Sequence, residues 1–311
     1  MRRSVSWLVV AVLLLCAGPA SAQTQLLSKR SGGEARVMAG HSFLPSNLVV
    51  WPFVTTHFGT TTGFGLAKWQ RTGQDDEGNT IEDSMTLGAF NEAFDLGIAF
   101  TDWLGIQARF GGNINAGANL TSALSVGAIF SAQTEGGLVL RLFQGGGFHL
   151  AIKAGAGYLN GKRLQPLEML QVDENGGLSI QRSRLLTKVS GWDVGPTLMM
   201  AYAPAAWFGM QTSFTFNYGK LTFSDTTMEN KNISWGAGVN FDARSIGFPL
   251  AIPVVYQLDR ALEDDAKLEH RTESGFFYSG RDNLNLGLSM ATKLGDEDKE
   301  YLGEFRMVYY W

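Results

Sequence analysis

The stretch Tyr301-Leu302-Gly303-Glu304-Phe305-Arg306-Met307-Val308-Tyr309-Tyr310-Trp311 alternates with period two. Tyr301, Gly303, Phe305, Met307, Tyr309 and Trp311 fall on one face; Leu302, Glu304, Arg306, Val308 and Tyr310 fall on the other. Successive side chains of a β-strand point to opposite sides, so this pattern reads as a strand. In a soluble sandwich the apolar face would meet a core. In a membrane barrel it meets lipid, and Glu304 and Arg306 point into a polar lumen. One strand does not separate the two.

Repetition does. Leu284, Leu286, Leu288 and Met290 alternate with Asn285, Gly287, Ser289 and Ala291; Phe214, Phe216 and Tyr218 alternate with Ser213, Thr215 and Asn217. The same holds for Trp235, Ala237, Val239 and Phe241 against Ser234, Gly236, Gly238 and Asn240. Small and polar residues keep occupying the second face, where a dry core would take Leu or Val. The predicted fold is therefore all-β: a closed antiparallel transmembrane β-barrel of about twelve strands, with ten or fourteen as alternatives. The twelve fall at about 54–70, 84–100, 103–115, 136–144, 148–160, 189–202, 205–222, 231–241, 250–259, 271–279, 284–294 and 301–311.

The connections agree. Those at 101–103, 145–147, 203–206 and 280–283 are short, whereas 71–83, 116–135, 161–188 and 260–270 are longer and more polar. That alternation matches periplasmic turns on one rim and extracellular loops on the other, with both termini periplasmic. The connection at 242–249 is somewhat long for a turn, Glu92 falls on the apolar face unless a bulge intervenes, and 116–135 is expected to fold toward the lumen as a loop.

The other end of the sequence has the parts of an export signal: Arg2 and Arg3, the apolar run Trp7–Cys16, then Ala20-Ser21-Ala22. The expected organisation is a signal peptide at 1–22, a periplasmic N-terminal lead-in at 23–51 that packs under the barrel, and an outer-membrane barrel at 52–311. Cleavage would remove Cys16, the single cysteine, and with it disulfides and thiolate metal ligation. Charged residues make up 17% of the chain, below the roughly 25% of a typical soluble domain. The net charge of -4 gives no suggestion of nucleic-acid binding.

With these features the sequence resembles bacterial outer-membrane β-barrel proteins of the porin-like kind over about residues 52–311. The resemblance places the protein in the cell outer membrane, in contact with lipid and lipopolysaccharide. It also implies handling by the barrel-assembly machinery, with Phe305, Met307, Tyr309 and Trp311 as the terminal assembly signal. Alternation sends Asp95, Arg109, Arg141, Lys153, Asp193, Lys293, Glu304 and Arg306 inward, as candidate lumen-lining residues. Charges there sit in water or in ion pairs because hydrocarbon excludes them.

Three functions fit. The first is a passive channel or transporter for small polar or amphipathic solutes. The second is a closed structural or adhesion barrel acting through its extracellular loops. The third is an outer-membrane hydrolase, which needs His57 or His149 within about 3 Å of a serine or carboxylate. No His-Glu-x-x-His, Gly-x-Ser-x-Gly or phosphate-loop pattern is present, and the sequence suggests no catalytic residue, cofactor or metal.

Overall fold

The computed structural model describes residues 33–74, 80–119, 122–123, 127–164, 170–172, 178–180, 186–223, 226–263, 266–295 and 298–311. The expected signal peptide at 1–22 lies outside them, as do residues 23–32 of the expected lead-in. Twelve long strands follow one another: β1 (His57–Gln74), β2 (Thr80–Ala99), β3 (Leu104–Gly117), β4 (Ala128–Gly145), β5 (Phe148–Leu164) and β6 (Leu186–Ala205). The rest are β7 (Phe208–Phe223), β8 (Thr226–Asp242), β9 (Leu250–Ala261), β10 (Leu268–Arg281), β11 (Leu284–Leu294) and β12 (Asp298–Tyr310). Each pairs antiparallel with its neighbour, and β12 pairs with β1 to close the barrel. Closure leaves no edge strand, so every strand finds its backbone partners without water.

The closing register sets Tyr309 opposite Phe58 and Tyr310 opposite His57. Along β12 the two faces separate completely. Tyr301, Phe305, Met307 and Tyr309 are exposed, whereas Glu304, Arg306, Val308 and Tyr310 are buried. Tyr309 stacks on Trp311 outside the wall at a centroid distance of 6.1 Å. Outward aromatic and aliphatic side chains continue around the barrel, among them Phe64, Leu138, Tyr158, Trp192, Phe276 and Leu288. This is the apolar band that lipid covers.

Most strands run longer than the alternation alone marks, because they continue past the apolar band. The expected loop at 116–135 shortens accordingly: β3 reaches Gly117 and β4 already begins at Ala128. What remains folds back on β2, where the Ser122 hydroxyl accepts from the Thr86 amide. No bulge rescues Glu92. Pairing is continuous through Thr62, Glu92 and Gly112, so its side chain stays on the outer wall and accepts a 2.6 Å hydrogen bond from Thr62 Oγ1. The connection at 242–249 contains a 3-10 turn, Ala243–Ile246, capped by the Asp242 side chain and closed by Gly247 at φ 85°.

Residues 33–56 take a course different from the expected one. Rather than packing beneath the barrel, their contacts are with inward-facing wall side chains. The segment starts at the short-turn rim, where Arg36 donates to the carbonyl of Asp282 at 2.9 Å. A two-residue hairpin (Val37–Met38 with His41–Ser42) turns it inward. Phe43, Leu44 and Phe53 are wholly buried, and Phe43 and Phe53 pack with Met38, Ala201 and Ala203. The chain then returns to the same rim to begin β1.

Candidate functional site

The segment reaches furthest into the lumen at Pro45-Ser46-Asn47, and charged wall residues converge there. Arg306 donates through Nη1 to the Pro45 carbonyl at 2.6 Å. Through Nη2 it meets Glu273 at 3.4 Å and Glu304 at 3.3 Å. Ser46 Oγ and the Asn47 amide both donate to Glu273 Oε2, at 2.8 and 3.1 Å. Asn47 Nδ2 donates to both Glu304 oxygens, at 2.7 and 2.6 Å, while its Oδ1 accepts from Arg109 Nη1 at 2.9 Å. Arg109 lies 3.6 Å from Asp95 on the neighbouring strand. One asparagine thus joins β3 to β12 across the lumen.

Alternation explains why these groups meet. Asp95, Arg109, Glu273, Glu304 and Arg306 share the inward parity of their strands with buried Ala93, Val139, Phe277 and Val308. The Arg306–Glu273–Glu304 cluster has almost no solvent exposure, so its charges are held by one another and by the inserted segment. Burying such charges costs several kcal/mol per ion, by general estimate, and geometry must recover it. Removing one partner leaves an uncompensated charge. The cluster is a lock rather than a surface pair.

Below this level the wall holds the segment's backbone. Gln211 Nε2 donates to Leu44 O, Gln107 Nε2 to Trp51 O and Phe53 O, and His149 Nε2 to Pro52 O at 2.9 Å. Ser213 Oγ accepts from the Val50 amide. A cavity of about 160 Å³ remains beside the segment, lined by Asp95, Arg109, Glu135, Lys153, His57 and Trp51 among others. It has room for a few waters. Thr61 Oγ1, Asn91 Oδ1, both amide atoms of Asn240 and Ser289 Oγ, on the inward face, are buried with no protein partner.

Above Asn47 the inward face changes character. Gln133, Asp193, Asn217, Asn230 and Asn232 line a further pocket of about 190 Å³ toward the long-loop rim. Amides and one carboxylate face this pocket, with Lys220 at its edge, while Arg271 and Lys293 pair with Glu269 elsewhere on the inner wall of the same half, at 3.3 and 3.2 Å.

The eight residues expected inside fall into four groups. Asp95, Arg109, Glu304 and Arg306 gather around Asn47. Lys153 is buried against Glu135 at 2.6 Å. Asp193 borders the upper pocket. Arg141 and Lys293 sit apart near opposite rims, Arg141 donating to Gln144 at 2.5 Å and Lys293 lying 3.2 Å from Glu269. Sequence reasoning missed Glu135, which lies just outside the expected strand 136–144, and Glu273. It also missed Arg36, Ser46 and Asn47. The apolar run Phe43-Leu44-Pro45 was the available signal, because a segment exposed in the periplasm has no reason to carry it.

His57 meets the Thr55 hydroxyl at 2.9 Å, and His149 meets a backbone carbonyl. Among the described residues neither contacts a serine or a carboxylate, so the geometric condition for a hydrolase is not met. His270 lies in β10 rather than in a loop, 2.5 Å from the Tyr256 hydroxyl. No cluster of three metal-ligating side chains occurs among the described residues.

No family model and no curated protein matches the chain. Among solved structures it is similar to the translocator domain of the autotransporter NalP from Neisseria meningitidis, at 8% identity and a TM-score of 0.52, covering 83% of this chain and 88% of that one. It is also similar to the COG4313 outer membrane channel from Pseudomonas putida F1, at 13% identity and a TM-score of 0.52, covering 87% and 100%. At such identities the likeness concerns the fold. The chain has the fold of an outer-membrane β-barrel, and its own residues 33–56 occupy the short-turn half of the lumen.

Proposed function

We propose that this protein is a gated outer-membrane channel for small polar solutes, with residues 33–56 as the gate. The observation that carries the reading is the chemistry of the inserted segment's seat. At its tip it is held by hydrogen bonds to Glu273, Glu304, Arg306 and Arg109, beside a cavity with charged lining, while the apolar clusters around Phe43, Leu44 and Phe53 hold the parts of the segment nearer the rim. The hydrogen bonds of the tip can be exchanged for water when the tip withdraws. The amide-lined upper pocket offers polar solutes a matching wall, and one of the two similar structures is itself a channel. To the passive channel or transporter expected from the sequence, this reading adds a gate.

Swelling of liposomes holding the folded protein, in solutions of graded small sugars and amino acids, tests the reading. The intact chain is expected to admit them slowly, and the Asn47→Ala variant faster, with a sharp size limit. Equal, background-level uptake by both would sink the channel. A permanently closed structural barrel is the second reading; the fully buried Arg306 cluster favours it, because such a lock resists opening.

A further inference from the structure

The outer wall carries two lysine pairs that the channel does not use. Lys162 on β5 stands directly opposite Lys188 on β6, and Lys68 on β1 directly opposite Lys299 on β12. All four side chains are exposed. Their parity is that of Tyr158, Trp192, Leu66 and Tyr301, so they point away from the lumen. None of the four has an ion-pair partner among the described residues, whereas Lys231 near the same rim is 3.0 Å from Glu229.

Directly opposed side chains have Cβ atoms roughly 5 Å apart, and like charges at that spacing repel. Two such pairs at one end of one barrel call for an anion. Height identifies which. Lys162 lies four residues beyond Tyr158, and Lys188 four beyond Trp192, toward the long-loop rim; Lys68 and Lys299 lie two beyond Leu66 and Tyr301. At roughly 3.3 Å per residue on tilted strands, that sets the lysines about 5–10 Å beyond Tyr158, Trp192, Leu66 and Tyr301, with the outward Phe130 level with Lys162, at the margin of the apolar band beside the lipid headgroups. The long-loop rim of such a barrel is the extracellular one, so the leaflet is the outer leaflet.

A second feature adjoins the first pair. Lys162 borders a concave outer surface of about 490 Å³ running over β2 to β5. Phe90, Ile114 and Phe130 wall it, and Gly112 and Ala132 form its floor. The carboxylate of Glu92, at its far side, is taken up by Thr62. The shape offers a hydrocarbon chain a slot beside a doubly cationic head site.

We propose that Lys162–Lys188 and Lys68–Lys299 are phosphate clamps for the phosphorylated lipid of lipopolysaccharide, with an acyl chain of the first bound lipid lying in the groove beside Lys162. The source is the outer-leaflet glycolipid rather than a phospholipid, because its phosphates lie on a rigid sugar head that can bridge two closely spaced ammonium groups. The site is independent of the gate, so it stands or falls apart from the channel reading.

The test offers the folded full chain in detergent micelles three lipids, counted by native mass spectrometry: bis-phosphorylated lipid A, dephosphorylated lipid A and phosphatidylglycerol. Bis-phosphorylated lipid A is expected to be retained at least about tenfold better than either, and Lys162→Gln with Lys188→Gln to remove one of the two retained copies, about a twofold loss. Replacing all four lysines by glutamine should abolish the preference, while the Lys162→Arg/Lys188→Arg variant keeps it. In lipid-free micelles the glutamine variants should melt no lower than the parent, because removing a repulsive pair does not weaken the wall. Equal retention of the three lipids, or a preference untouched by the fourfold substitution, overturns the proposal.

Discussion

The two halves of the lumen are built on different principles. In the short-turn half, residues 33–56 fill the space, and Arg306 with its two carboxylates is sealed from solvent. In the long-loop half, Gln133, Asn217, Asn230 and Asn232 line a pocket toward the rim, with one carboxylate, Asp193. The difference comes from the segment: where it inserts, wall charges are sealed into a lock; where it stops, amides face space and the paired charges of Arg271, Lys293 and Glu269 stay partly exposed. A barrel of one pattern can therefore hold a closed zone and an open one.

The largest effect should follow from breaking the lock. Arg306→Ala leaves Glu273 and Glu304 buried without their cation, a loss of about 3–5 kcal/mol for a buried pair of this kind. Urea unfolding of the folded protein, with proteolysis of residues 33–56, should show a weaker barrel and an exposed segment. Unchanged protection of that segment would contradict the lock.

Asn47→Ala comes next. It removes hydrogen bonds to Glu304 and Arg109, each to a charged partner and worth about 1.5–3 kcal/mol. The wall stays intact, so the variant should keep the parent's melting behaviour more closely than Arg306→Ala while releasing the tip. Hydrogen exchange of residues 43–55 reads this directly, and no increase there would count against the tip's role.

A smaller effect should come from pH. Burial holds the His41 imidazole below its ordinary value of 6.5; Arg36 and Arg244 push the same way, and the Ala206 carbonyl and Asp242 oppose them. The docked segment therefore favours neutral His41, and its stabilisation is present above pH 6.5. It is lost as the pH falls through the lowered value, because the released segment binds the proton more readily. Acidification should loosen the segment in the parent and less in His41→Gln; identical pH profiles would remove His41 from the account. The smallest effect belongs to the upper half. Asn217→Ala and Asn232→Ala should change stability by no more than about 0.5 kcal/mol, as partly exposed positions do. A large loss in either would mean that the upper half is also locked.

How much of this was legible follows from which signal each part leaves. A strand with one face in lipid and one in water writes period two into the sequence, and all twelve strands and the β12–β1 closure were readable from it. Their ends were not, because a strand that leaves the apolar band loses its alternation, as β4 does between Ala128 and Glu135. The inserted segment has no period at all. Its contacts join residues far apart in the chain, such as Asn47 with Glu304, and only burial in three dimensions reveals them. The lysine pairs were invisible for the same reason, since register, not spacing, sets Lys68 against Lys299.

The central claim is that residues 33–56 close a lumen that can open. Single-channel recording in a planar bilayer, on folded parent and Asn47→Ala, tests it most directly. The account predicts a parent that is closed or weakly conducting, with brief openings, and a variant that dwells in a larger open state. Identical traces from the two proteins, whether both silent or both fully open, would contradict it.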